Sequence, residues 1–117
     1  MHKTIADFGA AVDALGLPWT NLVWPHDDAP PMPYVVLVPG DERGVTADND
    51  AGYTYRSYTV ELYYDGEDGR EMALEKSLKA ALKAAGIPCG RAAGPQQVYG
   101  SHALVSYIPT TLIEQEA

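Results

Sequence analysis

The stretch from Tyr53 to Gly86 constrains the fold most, because it predicts one strand that runs directly into one helix. An aromatic and β-branched run over residues 53–64 comes first, and Asp65-Gly66 then supplies a turn. Successive side chains of a strand point to opposite faces, so one set faces the core and the other faces solvent or a partner. The core set is Tyr58, Val60, Leu62 and Tyr64, and the outward set is Ser57, Thr59, Glu61 and Tyr63.

The second half of this stretch predicts an amphipathic helix over residues 68–85. Asp68 is placed to cap the first turn, and Glu71 follows three residues later. The apolar residues then repeat at the spacing of a single helical face, and they are Leu74, Leu78, Ala81, Leu82 and Ala85. Because a lone helix of this length is marginal in water, we expect it to dock on the core side of the strand.

The N-terminal part of the chain predicts a shorter helix over residues 4–15. Thr4 and Asp7 have the spacing of a capping box, and Gly16 followed by Pro18 forms a common helix stop. The residues after it, 19–24, are strand formers that fit either a short strand or an extended connection. Four prolines then indicate a loop over residues 25–33.

Two further strands and an acidic loop complete the predicted elements. Residues 34–38 are a nearly continuous apolar run, which predicts a strand buried on both faces, and residues 103–108 predict the last strand, ended by Pro109. The residues over 40–52 lack an apolar period, which indicates a loop. The segment 90–101 is expected to be extended or turning, with room for a short edge strand. The tail after 109 is expected to pack or to fray. We therefore expect one α+β domain over 1–117, an antiparallel sheet of about four to five strands with two helices on one face.

Composition narrows the classes of function. The formal net charge is −8, with only 8 lysines and arginines, which argues against a protein that grips nucleic acid. Cys89 is the only cysteine, so an internal disulfide is excluded and a reducing, cytoplasmic setting is expected. No apolar run is long enough to cross a bilayer, and the first residues lack the uncharged apolar centre of a signal peptide. The sequence thus predicts no membrane partner and no specific nucleic acid.

No catalytic residue, metal site or cofactor is predicted. The cluster His26-Asp27-Asp28 offers an imidazole and two carboxylates, but its spacing matches no common ligand pattern, and a solvated loop is the favoured interpretation. The segment beginning at Asp48 fails as a calcium loop because its fifth position is Gly52. Two alternatives stay open: a small metal- or ligand-using enzyme centred on His26-Asp27-Asp28, and an acidic protein that binds a basic partner.

The order of features from Pro31 to Ile113 resembles a family of small tailed-bacteriophage proteins, the tail-terminator, tail-completion or tail-to-head joining proteins. The stretches that carry the resemblance are PPMPYVVLV at 30–38, ADND at 47–50, YRSYTVELYYD at 55–65, EMALEKSLKAALKAAGIP at 71–88 and ALVSYI at 103–108. The Gly- and Ala-rich segment 90–101 departs from the pattern, where a more regular polar approach to the last strand is expected.

The resemblance implies a structural subunit and not an enzyme. Such a subunit assembles in the host cytoplasm into a ring of about six copies at the head-proximal end of the tail. In the virion neck it stops the tail tube and contacts the tube protein and the head connector. A ring built head to tail needs two different patches on each subunit. The first candidate patch is the outward set of the strand, and the second is the acidic loop with Asp41, Glu42, Arg43, Asp48 and Asp50.

Overall fold

In the part of the chain that the structure describes, five strands and two helices form an α+β fold, which confirms the fold class expected from the sequence. The structure is a computed structural model, and it describes residues 4–22, 24, 30–40, 53–66, 71–98 and 103–116. In chain order the elements are α1 (Ile5–Ala14), β1 (Trp19–Asn21), β2 (Tyr34–Pro39), β3 (Tyr53–Asp65), α2 (Glu71–Ala84), β4 (Ala93–Gln97) and β5 (Ala103–Glu116).

The strands form one sheet in the order β1-β2-β3-β5-β4. The three pairs that involve β2, β3, β5 and β4 are antiparallel, as expected, and β1 adds a parallel pair in which Thr20 lies opposite Val36. The sheet is therefore mixed. Parallel neighbours need a connection of about a dozen residues or more, and the proline-containing segment between Asn21 and Tyr34 has that length.

The helix boundaries follow from their local chemistry. Thr4 caps α1: the Asp7 N–H donates to Thr4 Oγ1 at 3.3 Å, and the Thr4 N–H donates to Asp7 Oδ2 at 2.9 Å. This reciprocal pair confirms the predicted capping box. Gly16 has a φ of 75°, the left-handed conformation that ends a helix at little cost for glycine. The predicted cap of α2, Asp68, lies outside the described residues.

The hydrophobic core lies between the helices and one face of the sheet, here called the inner face. Both helices contribute fully buried residues, including Phe8 and Val12 from α1 and Leu78 and Leu82 from α2. They pack against the inner-face residues of three strands, which are Val35, Leu37, Tyr58, Val60, Leu62, Tyr64, Ile108 and Leu112. The predicted packing of the β3 core set against α2 is thus confirmed.

One polar contact is buried beside this apolar cluster. The hydroxyls of Tyr64 and Ser106 lie 3.0 Å apart and form a hydrogen bond, while both residues are almost fully shielded from solvent. A buried hydroxyl is costly without a partner, and here each hydroxyl is the partner of the other. The pair therefore links β3 to β5 within the protein interior.

The last strand is longer than predicted, because β5 runs from Ala103 to Glu116 and not only over 103–108. Proline was expected to end it. The Pro109 carbonyl accepts a hydrogen bond from the Gly90 N–H at 2.8 Å, so the Pro109 backbone faces the segment after α2 and not β3. The missing proline N–H therefore removes no hydrogen bond between β3 and β5, and the strand continues through it.

The two edges of the sheet are short. β1 has three residues, and β4 has five, all of them exposed. The pairing of β4 with β5 is irregular between Ala93 and Gln96. Within that irregularity Gly94 has a φ of 97° and Pro95 has no N–H to donate. No described helix is long and apolar enough to span a membrane.

Candidate functional site

The outward set of β3 lies on the sheet face opposite the helices. Ser57 is exposed, and Thr59, Glu61 and Tyr63 are half-buried, whereas the alternate residues of the same strand are buried in the core. The predicted alternation of β3 is therefore confirmed. The function of this set as an interface remains a prediction.

Strand register shows which residues share that face. Glu61 lies between Val36 of β2 and Tyr107 of β5, and Thr59 lies between Val38 and Pro109. We call this surface the outer face. Its residues are Tyr34, Val36 and Val38 from β2, Ser57, Thr59, Glu61 and Tyr63 from β3, and Val105, Tyr107, Pro109 and Thr111 from β5.

Aromatic rings form a row across one end of the outer face. The rings of Tyr34 and Tyr63 stack with centroids 5.1 Å apart, and Trp24 meets Tyr34 edge to face at 5.5 Å. Contacts of this kind add to the stabilisation that area burial provides. The row brings residues from before β2, from β2 and from β3 into one surface.

Two valines of the outer face are almost inaccessible to solvent. Val36 is 7% exposed and Val105 is 3% exposed, yet neither belongs to the core cluster on the helical side. Val105 lies opposite Tyr63, and Val36 lies two residues from Tyr34 on the same strand face. Half-buried tyrosines thus lie at positions next to two buried valines on the outer face.

Glu61 places a carboxylate within this aromatic surface. The Tyr63 hydroxyl donates a hydrogen bond to Glu61 Oε1 at 2.8 Å. Burial raises the pKa of Tyr63 most, and the hydrogen bond and negative charge of Glu61 raise it further. The phenol therefore keeps the proton that it donates to Glu61 up to a higher pH than an ordinary tyrosine does.

A groove of about 480 Å³ lies at one end of the outer face, where β2 ends and the chain leaves α2. Ser57, Thr59 and Thr111 contribute hydroxyls to its lining, and Cys89 contributes its thiol. Burial raises the pKa of the Cys89 thiol, while the charge of Lys79 acts in the opposite direction. A thiol with a raised pKa is a weak nucleophile at neutral pH.

The other sequence candidates fall outside the part of the chain that the structure describes. This applies to the acidic-loop residues Asp41, Glu42, Arg43, Asp48 and Asp50, and to the cluster His26-Asp27-Asp28. Within the described residues, no group of three or more His, Cys, Asp or Glu side chains is arranged to hold a metal ion.

Sequence reasoning missed the partners of the β3 outward set. Tyr34 and Val36 belong to a run that was expected to be buried on both faces, so nothing in it separated core from outer residues. Alternation in the last strand does place Val105 and Tyr107 on one face, and that signal was available. Comparison of the chain with protein-family models and with curated proteins gave no match.

Proposed function

We propose that this protein is a structural subunit of a tailed bacteriophage or prophage, which assembles into a ring at the head-proximal end of the tail. About six copies would close the ring. In that position the ring stops growth of the tail tube and presents a surface to the head connector. The proposal starts from the sequence resemblance and names no catalytic residue.

The outer face is the observation that supports it. This face carries three half-buried tyrosines and two buried valines, although both described helices pack against the inner face. Tyrosine is enriched among the residues that dominate binding energy at protein interfaces, because it offers a large, rigid and partly polar side chain. A sheet face that only meets water has no need of this composition.

The net negative charge of the chain is consistent with a ring through which DNA passes. A net charge of −8 disfavours binding of the phosphate backbone, so DNA can pass through a ring of such subunits without adhering to it.

The test is the mass of the purified protein in solution. We expect light scattering after size-exclusion chromatography to give a multiple of the 12.6 kDa subunit, and negative-stain images to show rings. Because free subunits of such assemblies can require a template, the measurement is repeated with tail-tube protein present. A strictly monomeric particle at high concentration under both conditions contradicts the proposal.

A substitution on the outer face tests whether the ring assembles through this surface. Thr59→Arg adds a long charged side chain there without altering a core residue, and we expect it to prevent assembly while the helical circular dichroism signal stays unchanged. The control is Ala10→Arg, which adds the same charged side chain at an exposed position of α1, on the other side of the sheet. If Thr59→Arg assembles as well as the control, the outer face is not the interface.

A further inference from the structure

We infer that the outer face of one copy binds the exposed side of α2 on the next copy. This inference rests on the proposed ring, and it goes further by assigning the second of the two patches that a head-to-tail ring requires. The sequence had assigned that role to the acidic loop over 40–52.

The first argument is the placement of the two surfaces. Leu78 and Leu82 are fully buried against the inner face of the sheet, so the opposite side of α2 points away from the sheet. The outer face points in the other direction. Two complementary surfaces on opposite sides of a subunit produce head-to-tail contacts, which close into a ring when the rotation between copies allows it.

The second argument is charge. Among the outer-face residues Glu61 carries a negative charge, and none of these residues is basic. Among the α2 side chains that the structure describes, Lys76 and Lys83 are exposed, whereas the one carboxylate, Glu75, is half-buried, as Lys79 is. Lysine side chains can meet both the Glu61 carboxylate and the faces of the tyrosine rings.

The third argument excludes the other helix. The exposed residues of α1 include Asp7 and Asp13 and no lysine. These carboxylates would meet Glu61 with the same sign of charge, which disfavours the contact. Of the two described helices, only α2 therefore complements the outer face.

The fourth argument is shape. The remaining exposed residues among the described side chains of α2 are small, namely Ala73, Ser77, Ala80 and Ala84. Small side chains let a helix approach a surface closely, and the tyrosine rings of the outer face then fill the space between the two lysines. The exposed side of α2 on the next copy therefore presents two lysines among small side chains, and this combination fits the outer face.

Exchanging the charge of Glu61 with those of Lys76 and Lys83 tests the inference. Glu61→Lys should reduce the mass to that of the monomer at concentrations where the wild type assembles, because the introduced ammonium group would then face Lys76 and Lys83. The double variant K76E/K83E should fail in the same way. A mixture of the two should assemble, since alternating copies restore opposite charges at every contact. The triple variant E61K/K76E/K83E should assemble alone.

Two controls separate this contact from general charge effects. Arg91→Glu makes the same charge change as one lysine substitution at an exposed position outside both surfaces, and it should assemble as the wild type does. Glu61→Gln keeps an acceptor for the Tyr63 hydroxyl, and it should weaken assembly less than Glu61→Lys.

The outcomes distinguish this inference from the proposed function. If the wild type forms rings and K76E/K83E forms them equally well, the ring stands and the α2 contact is wrong. If Glu61→Lys fails but mixing does not rescue it, the outer face is used with a different partner surface and the inference is again wrong. If the wild type stays monomeric with and without tail-tube protein, both the ring and the contact are overturned.

Discussion

The two faces of the sheet are built from the same strands, and yet they stabilise the protein in different ways. On the inner face Val60 and Leu62 are completely buried, because two helices cover them. On the outer face Val36 and Val105 are almost as inaccessible, and the residues next to them are half-buried tyrosines. The helices bury the inner face, whereas Val36 and Val105 lie outside the core cluster that the helices join.

Under the proposed function, this difference separates the residues that stabilise the fold from those that bind a neighbouring copy. The inner face completes the hydrophobic core, so a change there should affect the free energy of unfolding first. The outer face keeps half-buried tyrosine rings at the surface, where a partner would add to their burial. A substitution there should affect assembly first and unfolding less.

The largest expected effect is on the inner face. Leu62→Ala should lower the free energy of unfolding by about 2–5 kcal/mol, because it removes buried methyl groups and leaves a cavity between β3 and the helices. Urea denaturation measures it, with Thr59→Ala on the same strand as the control, for which we expect less than about 1 kcal/mol. Equal losses for the two variants would mean that the faces do not differ in this way.

The second test compares two buried valines. Val60→Ala should cost about 2 kcal/mol, since the core around it is fixed on all sides. Val36→Ala should cost about half as much, because half-buried tyrosines on the outer face can move into the vacated space. Denaturation curves of the two variants at one pH decide this. A cost for Val36→Ala as large as that for Val60→Ala would show a second rigid core on the outer face.

The third test uses two adjacent tyrosines that point to opposite faces. Tyr64→Phe removes the hydroxyl that pairs with buried Ser106 and should cost about 1–2 kcal/mol. Tyr63→Phe removes a hydrogen bond to half-buried Glu61, whose carboxylate can turn to water, and should cost less than about 1 kcal/mol. If Ser106→Ala combined with Tyr64→Phe costs no less than Tyr64→Phe alone, the unpaired hydroxyl is not the cause.

The smallest expected effect is on the pH at which Tyr63 titrates. The pKa of Tyr63 is raised in the folded protein, so the native state holds this proton more tightly than the unfolded chain does. Its contribution to stability is complete below the ordinary tyrosine pKa of about 10 and is lost as the pH rises through the folded pKa. The difference in phenolate absorbance between wild type and Tyr63→Phe measures the shift.

Glu61→Gln should lower the pKa of Tyr63 part of the way to its ordinary value, because the negative charge is lost while the burial, which is the largest cause of the shift, remains. A Tyr63 that titrates as an ordinary tyrosine in the wild type would show that its ring is not shielded on the outer face.

Local patterns predicted much of the fold, because each of them depends on neighbouring residues. The capping box at Thr4, the alternation of β3 and the leucine face of α2 all require only side-chain spacing. The parallel pairing of β1 and the continuation of β5 past Pro109 were missed. Both depend on which distant backbone lies alongside, and the sequence carries no local signal for that.

The candidate site was predicted in part for the same reason. Alternation within β3 placed Thr59, Glu61 and Tyr63 on one face correctly. The stacking of Tyr34 on Tyr63 follows from the register between β2 and β3, in which the two residues lie opposite each other. Register is set by the whole sheet, so the aromatic row became visible only in three dimensions.

The edges of the sheet have a consequence for how copies can meet. An open strand edge lets chains add to one another by backbone hydrogen bonds without a natural end, which leads to fibres or precipitates. Here Pro95 withholds a donor on β4, the left-handed Gly94 interrupts the ladder beside it, and β1 offers only three residues. Addition of a further strand is therefore blocked at β4, and at β1 only three residues are available for pairing. If copies assemble as proposed, they must join through side chains, whose fit fixes an angle between neighbours and so limits the size of the assembly.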